Sequence, residues 1–442
     1  MRTWGNHRIT TFQIIALGFA VMILIGTLLL MLPVSDRQQA GTGFSDCLFT
    51  AASAVCVTGL VVQDTAIHWS PFGQAVILFL IQIGGMGVVT AALSLSFVSG
   101  RRIGLLQRSV MQEAISAPQV GGIVRLTRFI ILTTFAIEAL GALLLMTVYI
   151  PEFGLKGLWY AVFHSVSAFC NAGFDLMGVH GEYSSRTAYR QNPMVNIVLI
   201  LLITIGGIGF LVWNDVREHG FRLKQYRLQS KIALAASGVM ILIPFLWLFF
   251  SETNGLPAGE RVLPSLFQSV TLRTAGFNTM DLNSVSDGGQ ALMILWMLIG
   301  GSPGSTAGGM KTTTFVILLL TAQAIFRRKD HVTCFGRRIG EDAVRNAVAI
   351  VIMYFMMFFT GGLIISKAEG LPLMSCLFET ASALGTVGLS LGITGQIGTV
   401  SRLILIALMF MGRVGGLTLI YAAQSVRRTS CSTLPLEKVT VG

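Results

Sequence analysis

Apolar runs and short mixed segments alternate along this chain in an order that recurs four times. Apolar stretches at residues 10–32, 72–98, 129–150, 194–213, 232–250, 289–300, 347–366 and 402–424 predict eight membrane-crossing helices, since most approach the roughly 20 residues that span hydrocarbon. Within each successive pair lies a segment too short to cross: Phe44 to Val55, Gly157 to Ala168, Leu263 to Thr271 and Leu373 to Ala383. Each runs into a loop that ends on a single glycine. Irregular backbone at membrane depth survives only where protein or a water-filled cavity surrounds it, so each short segment predicts a helix followed by a re-entrant loop. Phe49, Phe163 and Phe378 stand ten residues before their glycines, and Phe267 stands nine before its own.

The loops read Val57-Thr58-Gly59-Leu60, Asn171-Ala172-Gly173-Phe174, Thr274-Ala275-Gly276-Phe277 and Thr386-Val387-Gly388-Leu389. Their glycines lie 114, 103 and 112 residues apart, which sets a repeat of about a hundred residues. The fourth loop differs from the TVGY core of a potassium-channel filter only at its last residue, and in such filters backbone carbonyls replace the hydration shell of the ion. Two crossings and one hairpin return the chain to its starting side, so all four units share one orientation. The expected fold class is an all-α polytopic membrane protein, with four helix, pore-loop, helix units in pseudo-fourfold arrangement around a central ion pore. The units are placed at 10–99, 123–215, 230–327 and 343–426, with a tail at 427–442. An even number of spans per unit argues against the inverted repeats common in secondary transporters. Short helices whose C-terminal ends face a filter favour a cation there.

Composition agrees, because 53% hydrophobic and 12% charged residues lie far from the soluble globular norm. The first apolar run follows Arg2 and Arg8 and is read as a retained span, not a cleaved leader. Basic residues collect in three connections between units: Arg101, Arg102, Arg108 and Arg125; Arg217, Arg222, Lys224, Arg227 and Lys231; Arg327, Arg328, Lys329, Arg337, Arg338 and Arg345. All fall on one side, which the positive-inside rule makes cytoplasmic. The formal charge of +11 therefore follows from topology and calls for no nucleic acid. Asp64, Asp175, Glu182, Asp281, Asp287 and Glu369 sit in the opposite loops, where negative potential would draw cations to the outer mouth. Six cysteines without a CxxC pair and six histidines without metal spacing offer no redox or metal motif. No nucleophilic triad appears, so an enzyme is not expected.

Four glycine loops at matched positions between spans resemble the Trk/Ktr/HKT potassium transporters, over nearly the whole chain. Within that family the chain is most similar to the bacterial Ktr membrane subunit, KtrB, because only one span precedes the first pore segment. The resemblance implies K⁺ uptake across a bacterial plasma membrane by a multi-pass subunit with both termini cytoplasmic. It implies K⁺ as the transported ion, Na⁺ as a candidate activating ion, and no organic cofactor on this chain. It also implies a homodimer in the lipid bilayer, seated on a cytosolic ring of nucleotide-binding, KtrA-like regulatory subunits. The tail from Val426 to Gly442 is a candidate contact for dimer or ring. The alternative is a coupled secondary transporter for another small solute, with its site at glycine-broken helices.

None of the loops keeps the second glycine of TVGYG, so preference for K⁺ over Na⁺ is expected to be weaker than in a tetrameric channel. Arg273 stands where the other units carry Cys56, Cys170 and Gly385. It is expected to point behind the loop, with Glu379 as a candidate partner; the plainer reading is that Glu379 pairs elsewhere or reaches the outer surface. Glycine clusters at Gly84-Gly85-Met86-Gly87, Gly206-Gly207-Ile208-Gly209, Gly300-Gly301 and Gly412-Arg413-Val414-Gly415-Gly416 begin 25, 33, 24 and 24 residues past the loop glycines. Close packing and pore lining are both open readings.

The third unit continues as Gly300-Gly301-Ser302-Pro303-Gly304-Ser305-Thr306-Ala307-Gly308-Gly309-Met310-Lys311. Glycine and proline cost about 1 and 3 kcal/mol in a helix interior, so this stretch should break the span. The resemblance identifies 300–311 as the family's intramembrane gating loop, with Arg413 beside it; snorkelling to the interface is the plainer reading for Arg413. Gly304 and Gly309 with Lys311-Thr312 brush against a phosphate-loop motif, but Met310 spoils its register and no soluble sheet is expected there. Glu138 is assigned no role.

Overall fold

The computed structural model describes residues 10–88, 90–91, 104–117, 119, 121–185, 187–416 and 418. Arg2, Arg8, Arg101, Arg102 and the tail at 427–442 lie outside the described residues. Four long helices open the four units: α1 (Thr11–Leu30), α5 (Ile123–Phe153), α9 (Leu228–Trp247) and α13 (Glu341–Glu369). Between 28% and 39% of their most apolar windows is buried inside the protein. The rest of these apolar faces is stable only against lipid.

A short helix follows each long one: α2 (Phe44–Cys56), α6 (Leu155–Phe169), α10 (Ala258–Thr271) and α14 (Leu373–Gly385). These form the core. Phe49, Phe163, Phe267 and Phe378 are fully buried on them, one per unit. Inner helices return the chain: α3 (Pro71–Met86), α7 (Pro193–Ile208), α11 (Asp287–Leu298) and α15 (Thr399–Val414). Between the units, α4 (Leu105–Ile115) packs on α1 and α5. A hairpin of β1 (Thr333–Cys334) and β2 (Arg337–Arg338) joins α12 (Thr312–Phe326) to α13.

Each inner helix packs on the short helix of the next unit: α3 on α6, α7 on α10, α11 on α14, and α15 back on α2. The circuit closes on itself, which is the pseudo-fourfold arrangement.

The first, second and fourth inner helices are interrupted where continuous spans were expected. All three stop at a glycine with φ and ψ that only glycine adopts readily: Gly87 (86°, 129°), Gly209 (106°, 140°) and Gly415 (92°, 136°). Beyond Gly209 the chain turns by 92° into α8 (Phe210–His219). The third inner helix, expected at 289–300, is 12 residues long and gives way after Ile299 to the irregular stretch where the break was expected. In the outer ring, Pro244 lacks the N–H that would bond Met240, and the Trp296 indole donates to that carbonyl instead at 3.0 Å. One proline thereby ties α9 to α11.

Candidate functional site

Each short helix ends at its loop with a left-handed residue two positions before the glycine: Val57, Asn171, Thr274 and Thr386, with φ between 51° and 65°. The glycines follow with φ of 89°, 72°, 79° and 92°. A hydroxyl near the end of each helix braces the loop. Ser53 and Ser382 accept from the N–H groups of Gly59 and Gly388 at 3.1 and 3.0 Å. Ser167 and Thr271 donate to the carbonyls of Phe174 and Phe277, both at 2.7 Å. Thr271 lies five residues before its glycine where the other three lie six before theirs, so the missing residue of the third unit falls between brace and loop.

The four loops meet in a ring. A Cβ built on Gly59 would stand 2.4 Å from the Ala172 carbonyl oxygen; on Gly173, 2.9 Å from that of Ala275; on Gly276, 2.4 Å from that of Val387; on Gly388, 2.2 Å from that of Thr58. Every glycine thus touches the middle carbonyl of the next loop. The C-terminal, negative ends of four helices converge on this ring.

Above it opens a cavity of about 750 Å³ that the four glycines line together with Asp64, Asp175 and Asp281. Glu182, Asp287 and Glu369, expected at the same mouth, do not line it. Glu369 instead accepts from Gly398 N at 2.9 Å and Ser401 Oγ at 2.5 Å. Asp64 is largely occupied by backbone, accepting from Ala66 N at 2.8 Å and from Tyr183 N of the second unit at 2.8 Å.

The expected pairing of Arg273 with Glu379 does not form. Arg273 Nη2 donates to Ser237 Oγ on α9 at 2.9 Å. Glu379 accepts from Ser390 Oγ at 2.6 Å and from the Thr394 hydroxyl. Each charge meets hydroxyls close by and not the other, while Arg273 Nε and Glu379 Oε2 are buried without a hydrogen-bond partner. Among the described residues Glu138 likewise meets no basic side chain: it accepts from Gln82 Nε2 at 3.1 Å and lies 3.8 Å from Cys170 Sγ.

Beneath the ring, residues 300–311 form a loop closed at its base, where Gly300 N donates to Met310 O at 2.7 Å and Thr312 N to Gly301 O at 3.1 Å. Helix C-termini leave carbonyls without intrahelical partners, and this loop supplies donors to them. Thr306 N and Ser302 N donate to Gly206 O (3.3 Å) and Gly207 O (3.0 Å) at the end of α7, and Gly309 N donates to Gly412 O (3.1 Å) on α15. The end of α3 is served by Arg413, whose guanidinium donates to Gly84 O, to Gly85 O at 3.0 Å, and to Thr306 O of the loop. Arg413 therefore points inward and does not snorkel. Lys311 Nζ donates to Ala307 O at 2.8 Å, and the helix α11, not a strand, precedes the segment, which removes the phosphate-loop reading. A Cβ on Gly308 would fall 2.1 Å from Thr386 Oγ1, so the loop touches the ring from below.

The leading glycines of the clusters pack against short helices: a Cβ on Gly84, Gly206 or Gly412 would meet Val55 O, Phe169 O or Leu384 O at 2.0 to 2.1 Å. Packing is thus one of their roles. The braces Ser53, Ser167, Thr271 and Ser382 were not singled out from the sequence, and Gly87, Gly209 and Gly415 stood there only as members of glycine clusters, without being placed at helix breaks. For the braces, a spacing of five or six residues before each loop glycine was the available signal.

Residues 6–428 match the cation transport protein family TrkH. The chain belongs to that family. It is 39% identical over 96% of its length, and 94% of the relative's, to the potassium/sodium uptake protein NtpJ of Enterococcus hirae. It is 38% identical to the Ktr system potassium uptake protein B of Bacillus subtilis, covering 94% of this chain and 93% of that one. The crystal structure of the potassium transporter TrkH from Vibrio parahaemolyticus superposes with a TM-score of 0.76 at 19% identity, covering 96% of this chain and 86% of that one. At that identity the likeness speaks to fold. Members of this family are multi-pass membrane proteins of cation transport, and the names of these relatives describe transport, not catalysis.

Proposed function

We propose that the chain is the translocating subunit of a Ktr-type system, carrying K⁺ inward across a bacterial plasma membrane through the glycine ring. The observation that carries this reading is the closed circuit Gly59, Gly173, Gly276, Gly388, in which each glycine abuts the next loop's carbonyl. Carbonyls so presented can replace a hydration shell. Val57, Thr58, Asn171, Ala172, Thr274, Ala275, Thr386 and Val387 complete the filter, and residues 300–311 with Arg413 form its gate.

In this reading the unit boundaries stand at 10–99, 123–215, 230–327 and 343–426, both termini are cytoplasmic, and Na⁺ acts as an activating ion. Two copies form a dimer, and a nucleotide-binding ring of KtrA-like subunits works the gate from the cytosol. The names of relatives in a Ktr system support a multi-component assembly. A coupled transporter with its substrate at a broken helix is less favoured, because Pro303 and Gly304 backbone already fills the break at Gly209.

Rubidium uptake into liposomes holding the chain, alone and with its regulatory partner, tests the proposal. Rb⁺ should enter and compete with K⁺ while Li⁺ should not, since a backbone filter selects by replacing hydration. Absence of Rb⁺ flux under every ionic condition and with the partner present would sink it.

A further inference from the structure

A second cavity, of about 1070 Å³, opens where α5 begins, away from the glycine ring. Its walls hold four arginines, Arg125, Arg128, Arg217 and Arg227, against one acid, Glu218. Arg227 is engaged with Asp215 at 3.5 Å and with Glu218 at 3.9 Å. Among the described residues the other three meet no carboxylate. Arg217 is held in place by lying over the Phe129 ring, 4.6 Å from its centroid. Arg125 and Arg128 sit three apart on one face of α5. The first turn of that helix contains no acidic residue and no side-chain cap, and its backbone at Gly122, Ile123 and Val124 borders the cavity. Uncapped amides and unpaired guanidinium groups together ask for an anion with several acceptor oxygens.

The surroundings say where that anion comes from. Within two turns of Arg128, α5 presents Leu132 and Phe135 outward, 62% and 51% exposed, on a helix long and apolar enough to cross a membrane. Between the lining residues Glu218 and Arg227, the chain after α8 carries Phe221 and Leu223 at 98% and 58% exposure beside Arg222 and Lys224. Bare aromatic and aliphatic side chains next to basic ones belong at a headgroup layer, with the apolar groups below it and the charges in it. We propose that this cavity binds the phosphate of an anionic phospholipid headgroup in the leaflet on the basic side of the protein, between the start of α5 and the end of α8. Basic pockets between membrane helices recognise such headgroups by the same chemistry. The inference rests on the membrane placement of the family and not on K⁺ as cargo, so a failure of Rb⁺ uptake would leave it standing.

The test uses the full chain in nanodiscs doped with a photoactivatable phosphatidylglycerol or with its phosphatidylcholine counterpart, and maps the cross-links by mass spectrometry. Phosphatidylglycerol should label residues 119–128 and 214–227 about tenfold more than phosphatidylcholine does. The label should be lost in Arg125→Ala/Arg128→Ala and retained in Arg125→Lys/Arg128→Lys. Equal labelling by the two lipids, or anionic label confined to the basic stretch 327–345, would overturn the proposal on the unmodified chain, whatever the variants do. Displacement of the label by millimolar inorganic phosphate would overturn it in favour of a soluble anion. Displacement by the regulatory partner but not by phosphate would do so in favour of an acidic protein surface.

Discussion

Arg402 of the fourth unit donates to Asp46 in the first turn of α2, Nη1 to Oδ1 at 2.5 Å, and so joins the last unit to the first. Gln63 Nε2 adds a second donor to the same carboxylate at 3.0 Å. The two side chains are 17% and 21% exposed, so the pair is neither solvent-screened nor fully dry. Substituting Arg402→Gln or Asp46→Asn should lower stability by about 1 to 3 kcal/mol, between the values for surface and buried pairs. A double-mutant cycle on thermal unfolding in detergent checks this, and additive effects would show that the contact does not couple the units.

Alanine at a ring glycine should be costly in proportion to the nearest carbonyl. Gly388, Gly59 and Gly276 face carbonyl oxygens at 2.2 to 2.4 Å and Gly173 faces one at 2.9 Å, so Gly173→Ala should be the mildest of the four. For the other three the half-saturating Rb⁺ concentration should rise by about tenfold or more, which corresponds to about 1.4 kcal/mol of lost ion binding. Membrane insertion should persist, because the long helices are untouched. Four variants with parental uptake kinetics would contradict the filter assignment.

Deleting residues 302–307, or substituting Arg413→Ala, should raise basal flux and weaken its dependence on a regulatory partner. Both remove donors from the same construction, since Arg413 holds Thr306 O of the loop. Their effects should therefore combine to less than the sum. Arg413→Lys should fall between, because an ammonium lacks the planar fork that reaches carbonyls on two elements. Unchanged or reduced basal flux in both primary variants, at matched protein amounts, would return these residues to structural roles.

The break glycines separate backbone strain from crowding. A Cβ on Gly87 or Gly415 meets nothing closer than 3.8 Å, whereas on Gly209 it would lie 2.8 Å from Pro303 O. Gly87→Ala and Gly415→Ala should cost about 1 to 3 kcal/mol from φ alone. Gly209→Ala should cost more. Thermal unfolding of the three variants measures the order, and a Gly209 variant no worse than the others would show that the loop yields freely.

The long and short helices were legible because hydropathy and length alone separate a crossing from a segment that cannot cross. Three of the inner helices were read as continuous by the same measure, which counts the apolar side chains around Gly87, Gly209 and Gly415 but is blind to φ. The loop triplets stood out because four matched copies reinforce each other. Their braces did not, since a single Ser53 or Thr271 at a helix end looks like any other hydroxyl until its partner in the loop is placed. The candidate pairing of Arg273 with Glu379 came from opposite charge alone, which cannot show that Ser237, Ser390 and Thr394 are the partners the fold places beside them.

The inner helices end on acceptors, and residues 300–311 with Arg413 bring the donors that answer them. Under the gate reading, withdrawal of the segment leaves Gly206 O, Gly207 O and Gly412 O without partners at membrane depth, and each buried unmatched group costs about 1 to 3 kcal/mol. Only water or a partly dehydrated cation is available to take the vacated places. On that reading a dry open passage is disfavoured by the same bonds that close it: opening and wetting become one event, and the atoms exposed by it are oxygens that can take a cation.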